Sequence, residues 1–410
     1  VALLGAAGFR AAPGVLMIPL QDEFGWSRGL MSVAVGINLV LFGVTAPFAA
    51  ALMDRFGIRK VTSVALLLIS AGSGLTVFVT ASWQLILTWG ILIGFGTGSM
   101  ALVFAATVAN RWFVRRRGMV MGILTAGSAT GQLIFLPVMA WAADRHGWRA
   151  ASLLIAVAAL VVVPLVLLFV RDFPSERGVA AYGAELADIP ETRHATGAAQ
   201  RAIGALLTAS RTKTFWALAG GFAICGASTN GLIGTHFVPA AHDHGLPTTT
   251  AAGLLAVVGI FDIVGTVASG VLTDRVNPRI LLCVYYGLRG AGLLMLPSLL
   301  SDAIHPSIVA FVVVYGLDWV ATVPPTVALC REVFGSAGTI VFGWVFAAHQ
   351  IGAAIASVAA GVIRDATGQY TVAWLSAAAL CVIAALLSLG VRRVTGPAAG
   401  EVAPQLADHP

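Results

Sequence analysis

Polar residues arrive in clusters along this chain, and between the clusters run uninterrupted apolar stretches of about twenty residues or more, the length that crosses a bilayer as a helix. Cutting at charged or turn-rich punctuation gives spans at 2–20, 30–52, 61–80, 84–109, 118–141 and 150–170, then 214–238, 249–272, 280–299, 307–330, 338–363 and 372–391. The runs are continuous rather than alternating with polar residues, so they predict helices and not barrel strands. Between the sixth and seventh spans lies 171–213, polar and mixed in charge, which reads as a linker with a short surface helix near 198–210. The segment from 394 onward is small and polar and reads as a disordered tail.

Composition sharpens this to an all-α integral membrane protein. Of 410 residues, 58% are hydrophobic and 10% charged, with mean hydropathy +0.91, where soluble domains carry about 25% charged residues. A net charge of +6 raises the question of nucleic acid, and the placement of the arginines answers against it. With the N-terminus inside, 18 of the 24 Lys and Arg fall in inside loops, the linker or the tail, and only Arg28, Arg145, Arg149 and Arg364 fall outside. That is a firm positive-inside pattern, and it predicts cytoplasmic termini. In "NRWFVRRRGMV" four arginines, Arg111 and Arg115 to Arg117, hold one inside loop against the anionic leaflet. The four cysteines sit in or beside apolar runs and form no metal or disulfide pattern.

The two sets of six spans repeat. "DRFGIR" at Asp54 returns as "DRVNPR" at Asp274, an offset of 220, and "DRHG" at Asp144 returns as "DATG" at Asp365, an offset of 221. Gly131 and Gly352 are again 221 apart. Parallel repeats of this kind predict two pseudo-symmetric six-helix halves with a central site between them. The expected organisation is 1–171 for the first half, 172–213 for the linker, 214–393 for the second half and 394–410 for the tail.

The D-R-x-x-x-R loop at Asp54, Arg55 and Arg59, echoed at Asp274, Arg275 and Arg279, resembles the best-known motif of the major facilitator superfamily. The resemblance covers all twelve spans, and it implies gating ion pairs at those helix ends, with the carboxylates met by neighbouring arginines and helix dipoles. "NRWFVRRRGMVMGILTAGSATGQLIFLP", "PLQDEFGWSR", "DRHGWR" and "FWALAGGFAICG" are similar to the monocarboxylate porter and oxalate–formate antiporter branch. Animal members of that branch have a lysine after the proline of span one and Asp-x-x-x-Arg in span eight. Here Pro13 is followed by Gly14, and Asp262 is followed four residues on by Thr266. The antiporters place a lysine in span eleven, where this chain has His349.

Five ionisable residues fall near the middle of spans: Arg10, Asp262, Arg289, Asp318 and His349. Each costs roughly 2.5–3.5 kcal/mol on insertion scales and so needs a partner or a function. At ~1.5 Å per residue, Asp262 and Arg289 lie about 18 and 15 Å from the loop that joins their helices, so they are level and form a candidate ion pair. Asp262, Asp318 and His349 are the candidate proton carriers. Arg10, Asp318, His349 and Gln350 are the candidate substrate contacts, since a guanidinium grips a carboxylate through paired hydrogen bonds. Asp318 stands beside Trp319 and a Pro324–Pro325 break. The histidines of "THFVPAAHDHG", His236, His242 and His244 with Asp243, read as a polar loop with helix caps rather than a metal site, and His236 is placed near the outer gate.

No nucleotide-binding loop, nucleophile elbow or HExxH motif occurs, so the sequence predicts neither an enzyme nor a resident cofactor or metal. The expectation is a secondary transporter acting as a monomer by alternating access. It would move a small monocarboxylate-like anion across a bacterial inner membrane by proton symport. Competing expectations are a proton-driven exporter of amphipathic or cationic compounds, an organic-anion exchanger, and a transporter-like sensor.

Overall fold

The computed structural model describes residues 2–100, 102–184 and 197–391, giving only the backbone course at some helical positions, among them 2–11 and most of 117–133. Among the described residues, twelve long helical segments follow one another: α1 (Ala2–Phe24), α2 (Arg28–Phe56), α3 (Ile58–Thr76), α4 (82–99 and 102–112), α5 (Arg117–His146), α6 (Trp148–Phe169), α7 (Lys213–Asp243), α8 (Thr248–Thr273), α9 (Pro278–Leu299), α10 (Pro306–Phe334), α11 (Gly338–Thr367) and α12 (Thr371–Leu389). Among the described residues, nine are long and apolar enough to cross a membrane. The other three, α1, α4 and α5, each include positions outside the description. The described part of the linker contributes a short 3-10 turn, Pro174–Arg177, and an α-helix, Ala198–Ala209.

Local chemistry sets the helix ends. The Ser27 hydroxyl caps α2 by accepting from the Leu30 N–H, and Thr212 caps α7 by accepting from the Phe215 N–H. Asn277 caps α9, with Pro278 at its first position, where a missing N–H costs nothing. The repeated "D-x-x-G" turns work by backbone conformation: Gly57 and Gly147 lie at φ +87° and +81°, a region that favours glycine.

α1 packs on α5, α3 on α6, α7 on α11, α8 on α10 and α9 on α12. The first six helices meet the last six through α2 against α11, α5 against α8 and α1 against α7. Along the first of these seams Gly29, Gly36 and Gly43 of α2 recur every seven residues. A Cβ at these positions would stand 2.7 Å from the Asp365 carboxylate, 3.0 Å from Val358 and 2.7 Å from Gln350. Side chains of α11 therefore lie directly on the α2 backbone, the close approach that small residues allow between membrane helices. Outward faces carry Phe78, Phe169, Val267 and Ile355 at exposures of 65–76%, as expected when the surrounding solvent is lipid.

Two helices are wound loosely for part of their length. α4 is π-helical over Ile86–Ile93 and α7 over Ala227–Ile233. In α4 the Asn38 side chain donates to the Trp89 carbonyl at 2.7 Å, and in α7 the Thr235 hydroxyl reaches back to the Asn230 carbonyl at 2.9 Å. Backbone groups that fall out of the regular ladder are thus satisfied without water.

Candidate functional site

α10 is broken after Asp318 and resumes at Val323, where Pro324 and Pro325 supply no N–H to the helix. The unwound turn leaves backbone groups to be satisfied in a buried place, and side chains from two neighbouring helices do this. Arg289 of α9, wholly buried, donates through Nη2 to the carbonyls of Asp318 at 2.7 Å and Trp319 at 3.3 Å. Its Nε donates to Asp318 Oδ2 at 2.6 Å, and its Nη1 meets Cys225 Sγ at 2.9 Å. From α8, Ser269 donates to the Ala321 carbonyl, and Asp262 Oδ1 accepts the Val320 N–H at 3.1 Å and the Thr266 hydroxyl at 3.0 Å.

The expected Asp262–Arg289 pair is therefore not the one formed. Being level on their helices was not enough, because the broken turn of α10 offers Arg289 a carboxylate and two carbonyls together. The same turn offers Asp262 a free N–H. Asp262 and Asp318 thus sit in one buried network with different partners. Tyr315 joins it by donating to the Ser228 carbonyl at 2.8 Å, and the Arg289 guanidinium lies 5.8 Å from the Tyr286 ring centre.

Among the described residues, Asp318 Oδ1, His349 Nδ1 and Gln350 Oε1 are buried without a hydrogen-bond partner. His349 lies against Phe222 and stacks on Phe346, with ring centres 4.7 and 5.8 Å away. Gly226 of α7 packs on its backbone so closely that a Cβ there would overlap the His349 carbonyl. Gln350 faces the other way, onto Gly43 of α2. Two neighbouring residues of α11 thus address different helices. Arg10 lies on α1, outside the described side chains.

At the end of the bundle that carries the basic loops, the motif residues brace helices within each set of six. Asp54 pairs with Arg111 at the end of α4, at 2.5 Å, rather than with Arg55 or Arg59 beside it. Arg55 lies over the Phe56 ring, and the Arg59 N–H is held by Asp172 at 2.9 Å. A side chain at Gly57 would strike that Asp172 carboxylate. Arg279 pairs with Glu332 of α10 at 2.9 Å and donates to the Val391 carbonyl at 2.6 Å, while Asp274 and Arg275 are exposed. The sequence reading counts Arg111 only among the loop arginines and misses Asp172 and Glu332; all three lie far along the chain from the loops they hold.

At the opposite, distal end the bonds cross between the two sets. Arg28 grips Asp243 with both terminal nitrogens, at 2.6 and 2.7 Å, and also donates to the Tyr370 hydroxyl at 3.1 Å. Arg364 adds a second ion pair to Asp243 at 2.8 Å. The Asp365 carboxylate of α11 accepts the N–H groups of Arg28 and Gly29 at 3.1 and 2.8 Å, capping the first turn of α2. His236, wholly buried, lies between the Tyr370 hydroxyl and the Ser357 carbonyl. Of this group the sequence places only His236 near a gate, and Arg28 and Arg364 stand there as two of four outside arginines.

These features define a multi-pass helical membrane protein whose charges are buried against one another at mid-bundle and at the distal seam. Comparison with known proteins agrees: a model of the Major Facilitator Superfamily matches residues 1–342. The chain belongs to the Major Facilitator Superfamily, and it is a transporter rather than an enzyme. "Monocarboxylate transporter 13" of Bos taurus is 30% identical, over 84% of this chain and 76% of that protein. "Uncharacterized MFS-type transporter YcxA" of Bacillus subtilis (strain 168) is 26% identical, over 95% and 92%. Among solved structures, an inward-facing bacterial homologue of the human lysosomal transporter Spinster superposes with TM-score 0.73 at 15% identity, covering 95% of each chain. A D-xylose–proton symporter gives 0.72 at 16%, covering 94% and 95%. At these identities the two structures speak for the fold alone.

Proposed function

We propose that this transporter carries a small monocarboxylate-like organic anion together with a proton across the inner membrane, by alternating access between residues 1–171 and 214–393, with 172–213 as the cytoplasmic linker and 394–410 as a cytoplasmic tail. In this reading the basic end faces the cytoplasm, with both termini, and the protein works as a monomer. The observation that carries the reading is the buried Arg289–Asp318 pair at the break of α10, whose carboxylate keeps one oxygen without a partner among the described residues. A guanidinium cannot shed its charge at physiological pH, whereas a carboxyl group can take up a proton. Protonation of Asp318 would leave Arg289 with an uncompensated charge in a low-dielectric place, and a carboxylate substrate would restore the balance. Substrate and proton would then be required together. Arg10, His349 and Gln350 are assigned to hold the rest of the substrate, and Asp262 to keep the α10 turn in shape. The similarity to monocarboxylate transporters supports the anion class.

The test uses purified protein in proteoliposomes with an internal pH dye and a panel of short mono- and dicarboxylates outside. Acidification by one or a few acids, above protein-free liposomes and lost in Asp318→Asn and Arg289→Gln, is expected. Silence across that panel, with flux of a cationic amphipathic compound instead, would replace the reading by a proton-driven exporter held on the same acids.

A further inference from the structure

The distal seam holds a titratable group that the proposed transport cycle has not used. Arg28 donates to the Tyr370 oxygen, so the single hydroxyl proton of Tyr370 is free to go to His236 Nδ1, 3.1 Å away. His236 Nε2, 2.8 Å from the Ser357 carbonyl, must then carry the ring's one proton, and it also faces the Ser32 oxygen at 3.5 Å. Hydrogen-bond direction along this chain thus fixes a neutral imidazole. A second proton, on Nδ1, would make the Tyr370 oxygen accept from both His236 and Arg28, take away the acceptor for its own hydroxyl proton, and place a cation beside Arg28.

We propose that His236 is a proton-operated catch on the outer gate: neutral, it completes the chain that holds α2 to α7 and α11; protonated, it breaks that chain and favours the outward-open state. The inference rests on the orientation and alternating access proposed above. It adds a proton site at the gate, distinct from the one at Asp318.

The surroundings single out His236. Asp243 is already held by Arg28 and Arg364, and Asp365 by the first N–H groups of α2. Of the other titratable groups on α7, His242 lies toward Asp144 and His244 bonds back to the Ala240 carbonyl. α1 presents Gln21 to Arg28, while its Glu23 is taken by Arg149 and Trp148. The one titratable residue of α8, Asp262, is at the α10 break. A cavity of about 310 Å³ lined by Asp243, His244, Thr367, Gly368, Gln369 and Tyr370 brings water to the edge of the catch. When the gate opens, the ring becomes an ordinary solvated imidazole.

The consequence has a magnitude. If the closed catch admits one proton only, lowering the pH from 7.5 to 5.5 multiplies the open-to-closed ratio about tenfold, the factor set by a solvated imidazole of pKa ~6.5.

Spin labels at Thr80→Cys and Ala303→Cys, exposed at the distal ends of the two sets, report the opening by double electron–electron resonance in nanodiscs. The background is Cys283→Ser, since the other native thiols are buried. Wild type is expected to gain a longer distance at pH 5.5. His236→Gln and His236→Leu should change less than twofold, and Arg28→Ala should be open at both pH values. A wild type indifferent to pH while Arg28→Ala opens would overturn the proposal, as would His236 variants that respond like wild type, or an Arg28→Ala that stays closed. Should neither His236 variant fold, the wild-type pH profile decides: an open-to-closed ratio that begins to rise as pH falls through about 6.5 supports an imidazole, and one that stays flat down to about pH 5 indicates a carboxylate and refutes the assignment. No substrate is present in this experiment. A pH-driven opening without anion flux in liposomes would therefore overturn the proposed cargo and leave the catch standing.

Discussion

Replacing either member of the Arg289–Asp318 pair by leucine should have unequal costs. Asp318→Leu removes the 2.6 Å partner of Nε and leaves a guanidinium, fully buried, facing two carbonyls and a thiol. The charge cannot be neutralised, so the loss should approach the ~3–5 kcal/mol typical of an orphaned buried charge. Arg289→Leu strands a carboxyl group instead, and that group can take a proton and become neutral. It also frees the Asp318 carbonyl, worth about 1–3 kcal/mol when left unpaired, while the part-buried Trp319 carbonyl, 3.3 Å away, loses little. The double variant removes both charges and should lie above Asp318→Leu alone in stability, close to Arg289→Leu. Thermal unfolding of all four proteins in one detergent, followed by intrinsic tryptophan fluorescence, gives the cycle without any knowledge of substrate. Equal losses for the two single variants, or a double variant whose loss equals their sum, would refute the argument that charge stranded at the α10 break governs stability.

Three further outcomes follow from the geometry. Gly226→Ala should abolish folded yield on size-exclusion chromatography, because its Cβ would overlap the His349 carbonyl, whereas Gly204→Ala, which meets open space in the linker helix, should stabilise by about 0.5–1 kcal/mol in a thermal scan. Hydrogen bonds from Arg149 and Trp148 hold the Glu23 carboxyl below its usual range. Its contribution is thus present above the unfolded-state pKa and lost as pH falls through the folded one, so the melting points of wild type and Glu23→Gln should converge on acidification; a gap that widens instead would show the sign to be wrong. Trp344→Phe removes the 2.8 Å bond from its indole N–H to the Ala202 carbonyl, a change of about 0.5–1.5 kcal/mol, and should speed tryptic cleavage at Arg201 and Arg211.

Span positions and the repeat were legible in the sequence because both are one-dimensional: apolar length and a fixed offset need no partner. The buried ionisable residues were legible for a similar reason, since Asp262, Arg289 and Asp318 stand out in apolar runs. Their pairing was not. It depends on how far α10 unwinds at Pro324, and on which side chain meets each freed backbone group. Arg28 shows the other limit. In the sequence it is one arginine in a short loop, and only the meeting of α2, α7 and α11 puts it against Asp243, Tyr370 and, through Asp365, the end of its own helix.

The seven-residue glycine spacing on α2 has a mechanical meaning. Where two helices interlock by side chains, turning one against the other means lifting knobs out of holes, and friction is high. At Gly29, Gly36 and Gly43 no knobs stand on the α2 side, so α11 rests on a smooth rail. In the alternating access proposed above, such a rail would serve as an axle about which the two bundles tilt without separating from it. Added bulk at its middle would raise the resistance to tilting while leaving every charged contact at the ends in place.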